Sequence, residues 1–241
     1  MKVADLELRP ATLDDARFDA DLDTALRPDD PSDPTLVRHW WLIEEADNVV
    51  ERWVAMQAGR PVGLAFHRHA AWEKMPERFG RVSGDLLPAV RTRARLDALY
   101  DFAEDRSRKD GTKRFTTWAW EDDRLRLDVL AARGFREERR ERFWECDLVA
   151  NREKLTQMAE ESRARMRAEG IQIVTLATDS DPEKYEKLWR MSDEAERDIP
   201  TTVPMSGRRG RSSKSGCALP ACVKTGNGSR VKATTSWVCR S

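Results

Sequence analysis

A chain of 241 residues has room for one large domain or one and a half ordinary ones. Charged residues make up 36% of it and mean hydropathy is −0.72, yet nine Trp and seven Phe are enough to build a core, which excludes a disordered composition. No run of about 18 apolar residues occurs, so no membrane-spanning helix is expected, and Met1-Lys2-Val3-Ala4-Asp5 lacks a secretory apolar region; together these predict a soluble, cytoplasmic protein.

Leu6-Glu7-Leu8-Arg9 reads as a short first strand. Thr12-Leu13-Asp14-Asp15 has the Ser/Thr-x-x-acid form of a helix start, and the loop from Pro28 to Pro34 ends in a second cap with Pro at the first helical position. Leu36, Trp40 and Ile43 fall on one face of the helix that follows. A hairpin comes next, Val49 to Gln57, a turn near Gly59-Arg60, and Pro61 to Ala70. His67 and His69 share a face of its second strand and are candidates for metal ligation or proton abstraction. With no third ligand at a recognisable spacing, a solvent-facing pair is the expectation and no metal site is assigned.

Arg81 to Leu87 is the next strand, and Val90 to Lys109 a helix with Leu96, Leu99 and Ala103 inward, stopped by Gly111. Between them lies Leu86-Leu87-Pro88-Ala89-Val90, then Arg91-Thr92-Arg93-Ala94-Arg95-Leu96. A Pro after an apolar strand, followed by basic residues opening a helix, suits a phosphate cradle, because first-turn amides lack intrahelical partners and carry the positive end of the helix dipole. The bland alternative for Arg91, Arg93 and Arg95 is the solvated face of a helix. Asp85, three residues before Pro88, is either a base or a group that caps the strand end or faces water.

Arg114 to Trp120 is a strand with Trp118 and Trp120 on one face, lining either the core or a groove. Asp122 or Asp123 can cap a helix from Leu125 to Arg133, closed by Gly134-Phe135 with Gly in the left-handed cap. Arg139 to Leu148 closes the region as a strand with Trp144, Cys146 and Leu148 on one side. The alternation of strands and helices predicts an α/β domain.

These residues resemble the GNAT superfamily of acyl-CoA N-acyltransferases. The resemblance rests on the Leu-Leu-Pro strand end, the Arg91 to Leu96 frame in place of Arg/Gln-x-x-Gly-x-Gly/Ala, and the Gly134-Phe135 helix end; it covers Leu6 to Leu148. It implies a mixed, mostly antiparallel central sheet flanked by helices, and acetyl-CoA as co-substrate. It implies a cofactor site of Leu87, Arg91, Thr92, Arg93, Ala94, Arg95 and Leu96, with a small-molecule or protein amine as acceptor. Ala94 and Leu96 stand where the family has small residues, and a Cβ hinders close approach of phosphate to backbone. The family's proton-donating Tyr falls at Leu130, so the catalytic residues are unassigned.

Asn151 to Glu169 reads as a connecting helix stopped by Gly170, after which Ile171 to Ala177 and a helix opened by Asp181-Pro182 replay the chain's opening. The domains expected are therefore 1–150, GNAT-like; 151–170, connecting; 171–204, the truncated start of a second GNAT-like repeat in a tandem protein; and 205–241, a basic disordered tail. From Met205 to Ser241 there are eight Lys/Arg and no Asp or Glu, leaving 35 basic against 43 acidic residues before it. Three of the four cysteines, Cys217, Cys222 and Cys239, also lie there. So abrupt a shift fits a change of reading frame; a basic arm for nucleic acid or anionic membrane is the weaker reading. Two functions follow from the body of the chain: an N-acetyltransferase, or a non-catalytic structural or CoA-binding half of a tandem protein. Oligomeric state has no signal in the sequence.

Overall fold

The computed structural model describes residues 2–197 and 231–240. Its strands are β1 (Lys2–Val3), β2 (Leu6–Pro10), β3 (Asn48–Gln57), β4 (Arg60–Ala70), β5 (Phe79–Leu86), β6 (Arg114–Trp120), β7 (Arg136–Trp144) and β8 (Val231–Arg240). Its helices are α1 (Ala16–Leu26), α2 (Pro34–Asp47), α3 (Arg93–Lys109), α4 (Arg124–Ala132), α5 (Arg152–Ala168) and α6 (Lys184–Arg197). The sheet runs β1-β2-β3-β4-β5-β6-β8-β7, with β5 and β6 parallel and the pairs β1–β2, β2–β3, β3–β4, β4–β5 and β6–β8 antiparallel. This is the α/β class expected, a mixed and mostly antiparallel sheet flanked by helices.

Alternation of side chains gives the sheet two buried faces. Leu6, Trp53, Ala65, Val82, Leu86 and Phe115 join Leu96 and Leu99 of α3 and Leu130 of α4 in one core. Val54 and Leu64, on the other face, join Ala16, Leu22 and Trp41 of α1 and α2. The approach of α3 to β5 is close enough that a Cβ at Gly84 would sit 2.9 Å from the Leu99 Cβ, so only glycine fits there. Gly134 ends α4 at φ +81°, with the Phe135 amide donating to the Leu130 carbonyl at 3.0 Å, the helix end the sequence predicted.

Several expectations are corrected. On α2 the buried tryptophan is Trp41, 5% exposed, while Trp40 is 46% exposed. Both fit a helical period; the partner decides, because the Trp41 indole donates to Asp19 at 3.0 Å and the Arg52 guanidinium stacks 4.3 Å over its ring. His67 and His69 are not solvent-facing but 0% and 6% exposed, since β4 is a central strand covered on both faces. β7 stops at Trp144, short of Leu148: Asp147 Oδ1 accepts from the amides of Val149 and Ala150 at 2.9 and 2.8 Å and turns the chain. No strand forms over 171–177, where Thr175 bonds to Thr178 and a turn interrupts the apolar run.

Of the tail, residues 205–230 lie outside the described residues, as do the readings made of them. Val231–Arg240 is not an irregular tail but a strand, pairing with β6 from Arg114↔Arg240 to Trp120↔Thr234. Val231, Thr234, Thr235, Trp237 and Val238 are strand-forming residues whose signal the tail's average composition hides. The chain divides into two compact units, 1–141 with 233–241, and 142–232. In the second, α5 buries no residue, and Tyr185, Leu188 and Met191 of α6 are exposed.

Candidate functional site

The site is built where β5 and β6 part. They pair only over Phe79–Arg81 with Arg114–Thr116, so the C-terminal halves of both strands diverge and open a wedge in the sheet. At the mouth of the wedge the Leu87 amide donates to the Val62 carbonyl at 2.8 Å, Pro88 to Val90 make a 3-10 turn, and Thr92 caps α3.

The seven residues predicted for the cofactor occupy this corner but play different parts. Arg93 and Ala94 are exposed, and their first-turn amides have no partner among the described residues, as an anion cradle requires. Thr92 Oγ1 accepts from the Arg95 amide at 3.4 Å, so its hydroxyl serves the cap. Arg91 does not reach for a phosphate: it makes a bidentate pair with Asp123 at 2.8 and 2.5 Å. Arg95 is held by Asp5 and by the Val90 carbonyl at 3.0 Å. Leu87 packs against the α1–α2 core, and Leu96 is wholly buried under the sheet, so its side chain does not obstruct the cradle as the sequence suggested. Leu130 is also wholly buried, in the core between α3, α4 and the sheet.

Sequence reasoning missed Arg126, because nothing in Arg124-Leu125-Arg126 marks one arginine as different from its neighbour. Its side chain is 9% exposed and spans the wedge, donating to the Gly84 carbonyl on β5 at 3.1 Å, to the Trp118 carbonyl on β6 at 3.3 Å, and to the Asp85 carboxylate. Asp123 caps α4 through the Arg126 amide at 3.1 Å; burial works against its ionisation, but the Arg91 and Arg126 guanidiniums outweigh it and hold the carboxyl below its usual range. Beside this network lies a cleft of about 370 Å³ lined in part by Asp23, Arg27, Asp85, Trp120, Asp123 and Arg126. Arg27 stacks 4.1 Å over Trp120, which is half-buried and so belongs to the cleft wall as much as to the core.

One turn before Asp23 on α1, Asp19 is a second residue the sequence did not reveal. Burial, with the charges of Asp23 and Asp85 added, pushes its carboxyl up to about 7, against the bond from Trp41. It is thus a carboxylate able to exchange a proton near neutrality.

The fit to acyl-CoA differs between the two parts of the site. The open amides of Arg93 and Ala94 suit a diphosphate. The wedge does not suit an extended amide-bearing arm, because the strand carbonyls such an arm needs are taken by Arg126.

No protein-family model matches the sequence, and no curated protein does. Among solved structures the chain is similar to an N-acetyltransferase from Staphylococcus aureus at 11% identity, TM-score 0.46, over 58% of this chain and 88% of that one. It is similar to a Salmonella typhimurium protein solved with its cofactor acetyl-CoA at 14% identity, TM-score 0.46, over 57% and 83%. It is similar also to a tandem GNAT protein from the clavulanic acid biosynthesis pathway at 20% identity, TM-score 0.49, over 59% of this chain and 50% of that one.

Proposed function

We propose that this chain is a GNAT-type acyl-CoA N-acyltransferase domain whose acyl-CoA wedge is shut by its own Arg126, so that it acts as a non-catalytic partner to a catalytic half rather than transferring an acetyl group itself. The observation that carries this reading is the Arg126 guanidinium bonded to both parted strands and to Asp85. Burial of Leu130 where the family's proton donor stands, and the commitment of Arg91 to Asp123, point the same way. The tandem arrangement belongs to this reading.

A second reading, an active N-acetyltransferase using acetyl-CoA and an amine acceptor, is favoured by Asp19. A carboxyl with a pKa of about 7, one helical turn from Asp23 in the cleft wall, is suited to taking a proton from an ammonium acceptor. Spermidine, named in the Vibrio cholerae structures to which the chain is similar at 17% and 18% identity, is the first amine to try.

Calorimetric titration of the full chain with acetyl-CoA separates the readings. The wedge-shut reading expects no binding by the native chain and micromolar binding by Asp85→Asn/Arg126→Met, in which the plug is gone and no charge is left unpaired. Binding and turnover by the native chain would establish the active enzyme. Binding by neither protein would remove the acyl-CoA reading altogether.

A further inference from the structure

Far from the wedge, at the other end of α3, a second constellation is left without a role. The cradle sits at the first turn of α3 and Asp110 just past its last, so the 17 residues of the helix put about 25 Å between them. On β4, His67 and His69 point to the α3 side and are 0% and 6% exposed. His69 Nδ1 lies 2.9 Å from the Ala70 carbonyl and so carries the ring proton, leaving Nε2 as a bare lone pair. That Nε2 is buried with no hydrogen-bond partner. Neither nitrogen of His67 has a hydrogen bond; its Nε2 stands 3.3 Å from Asp110 Oδ2 and 3.5 Å from Glu51 Oε2, in range but without hydrogen-bond alignment.

Three buried imidazole nitrogens without partners are an anomaly, since burial of a polar atom costs free energy unless something answers it. A neutral imidazole carries one N–H and one lone pair, so His67 and His69 each hold one buried lone pair with no electron-pair acceptor. A ligand atom from each of His67, His69 and Asp110 falls within 4.8 Å of the others. Ligands about 2.0–2.1 Å from a tetrahedral ion stand about 3.3 Å from one another, so the His67–Asp110 edge already has the required length and small rotations close the rest. The surroundings hold the donors in place. Trp72 stacks on His69 at 3.8 Å between ring centres and donates its indole N–H to the Asp110 carbonyl at 2.8 Å. Arg106 grips Glu51 at 3.0 and 2.7 Å, which commits that carboxylate to the guanidinium and leaves Asp110 as the carboxylate facing His67 Nε2. Asp110, 32% exposed at its side chain, gives the ion a way in.

We propose that His67, His69 and Asp110 bind a divalent transition-metal ion of the zinc class, with water in the fourth position. Two imidazoles and one carboxylate suit Zn²⁺, Co²⁺ or Ni²⁺ better than the oxygen-seeking Mg²⁺ and Ca²⁺. The ion would pin the C-terminal end of α3 to β4, a structural role independent of acyl-CoA.

The test is titration of the full metal-stripped chain with Co²⁺, read by its visible absorption, and with Zn²⁺, read by calorimetry and by melting temperature. The expected result is one equivalent bound, tetrahedral Co²⁺ bands, and a higher melting point with Zn²⁺. His69→Gln should abolish binding, and Asp110→Asn, at a partly exposed helix end where folding is preserved, should weaken it at least tenfold. Absence of binding by the native chain at tens of micromolar Zn²⁺ overturns the proposal. So does native affinity in Asp110→Asn, or a strong near-ultraviolet thiolate-to-cobalt band, either of which would put the ion elsewhere, the latter on cysteine.

Discussion

Arg126 ties both parted strands to α4 and neutralises carboxylates that are largely withdrawn from water, its own side chain 9% exposed. Truncation to Ala leaves the Asp85 carboxylate facing a gap with Arg91 3.9 Å away as its nearest guanidinium. Breaking one side of a buried pair costs about 3–5 kcal/mol, whereas removing both sides costs far less. Arg126→Ala is therefore expected to lower stability by about 3 kcal/mol, and Asp85→Asn to recover part of that loss only when Arg126 is absent; urea denaturation of the four members of the cycle reads the coupling, and additive losses would refute the buried pair. Asp19 makes a prediction of the opposite kind. Its folded pKa of about 7 lies above the unfolded value, so between about pH 4 and 7 the native state holds a proton the unfolded state has lost, and stability falls as pH rises through that window. Asp19→Asn keeps an acceptor for Trp41 and removes the penalty. Because Asp19 is partly exposed, the gain is discounted to roughly 2 kcal/mol at pH 8, with none near pH 4, checked by melting curves at the two pH values. Neither residue was legible beforehand: each is one of several like charges in its helix, and only contacts made by distant segments single it out.

Elements were far more legible, because they are written in local rules. β6 runs from Arg114 to Trp120 as alternation predicts, and α3 ends where Lys109-Asp110-Gly111 says it should. The hairpin of β3 and β4 was legible down to its strands, but its turn is shifted. Gln57 pairs with Arg60, so the two-residue loop is Ala58-Gly59, both with positive φ, +49° and +75°. That is the twist a tight hairpin needs, with alanine in a position suited to Asn or Gly. Ala58→Gly or Ala58→Asn is expected to raise stability by about 0.5–1 kcal/mol, seen as a higher urea midpoint at unchanged slope. A loss of stability would mean that the turn is not of this type. Where element readings failed, the missing information was tertiary: periodicity could not choose between Trp40 and Trp41, and β-propensity at Ile171–Ala177 found no neighbouring strand among the described residues. The reverse held for Val231–Arg240, whose strand residues found an edge on β6 to pair with.

At the scale of the whole molecule a contrast in charge is legible in the sequence, but the structure shows a contrast in burial that runs along a different boundary. Up to Phe135 both faces of the sheet carry closed cores, whereas beyond Trp144 large apolar residues lie bare: Leu148 is 61% exposed, Val149 84% and Ile173 69%. α5 has no buried residue to hold it, so its backbone hydrogen bonds open without loss of packing. Such segments exchange and are cut first, because opening them costs little compared with global unfolding. Limited thermolysin digestion is therefore expected to make its early cuts between 145 and 197, leaving the segment from β2 to α4 intact. Amides of β3, β4 and α3 should outlast those of α5 by several orders of magnitude in hydrogen exchange. Equal protection of α5 and β4 would mean that the second unit has a core of its own.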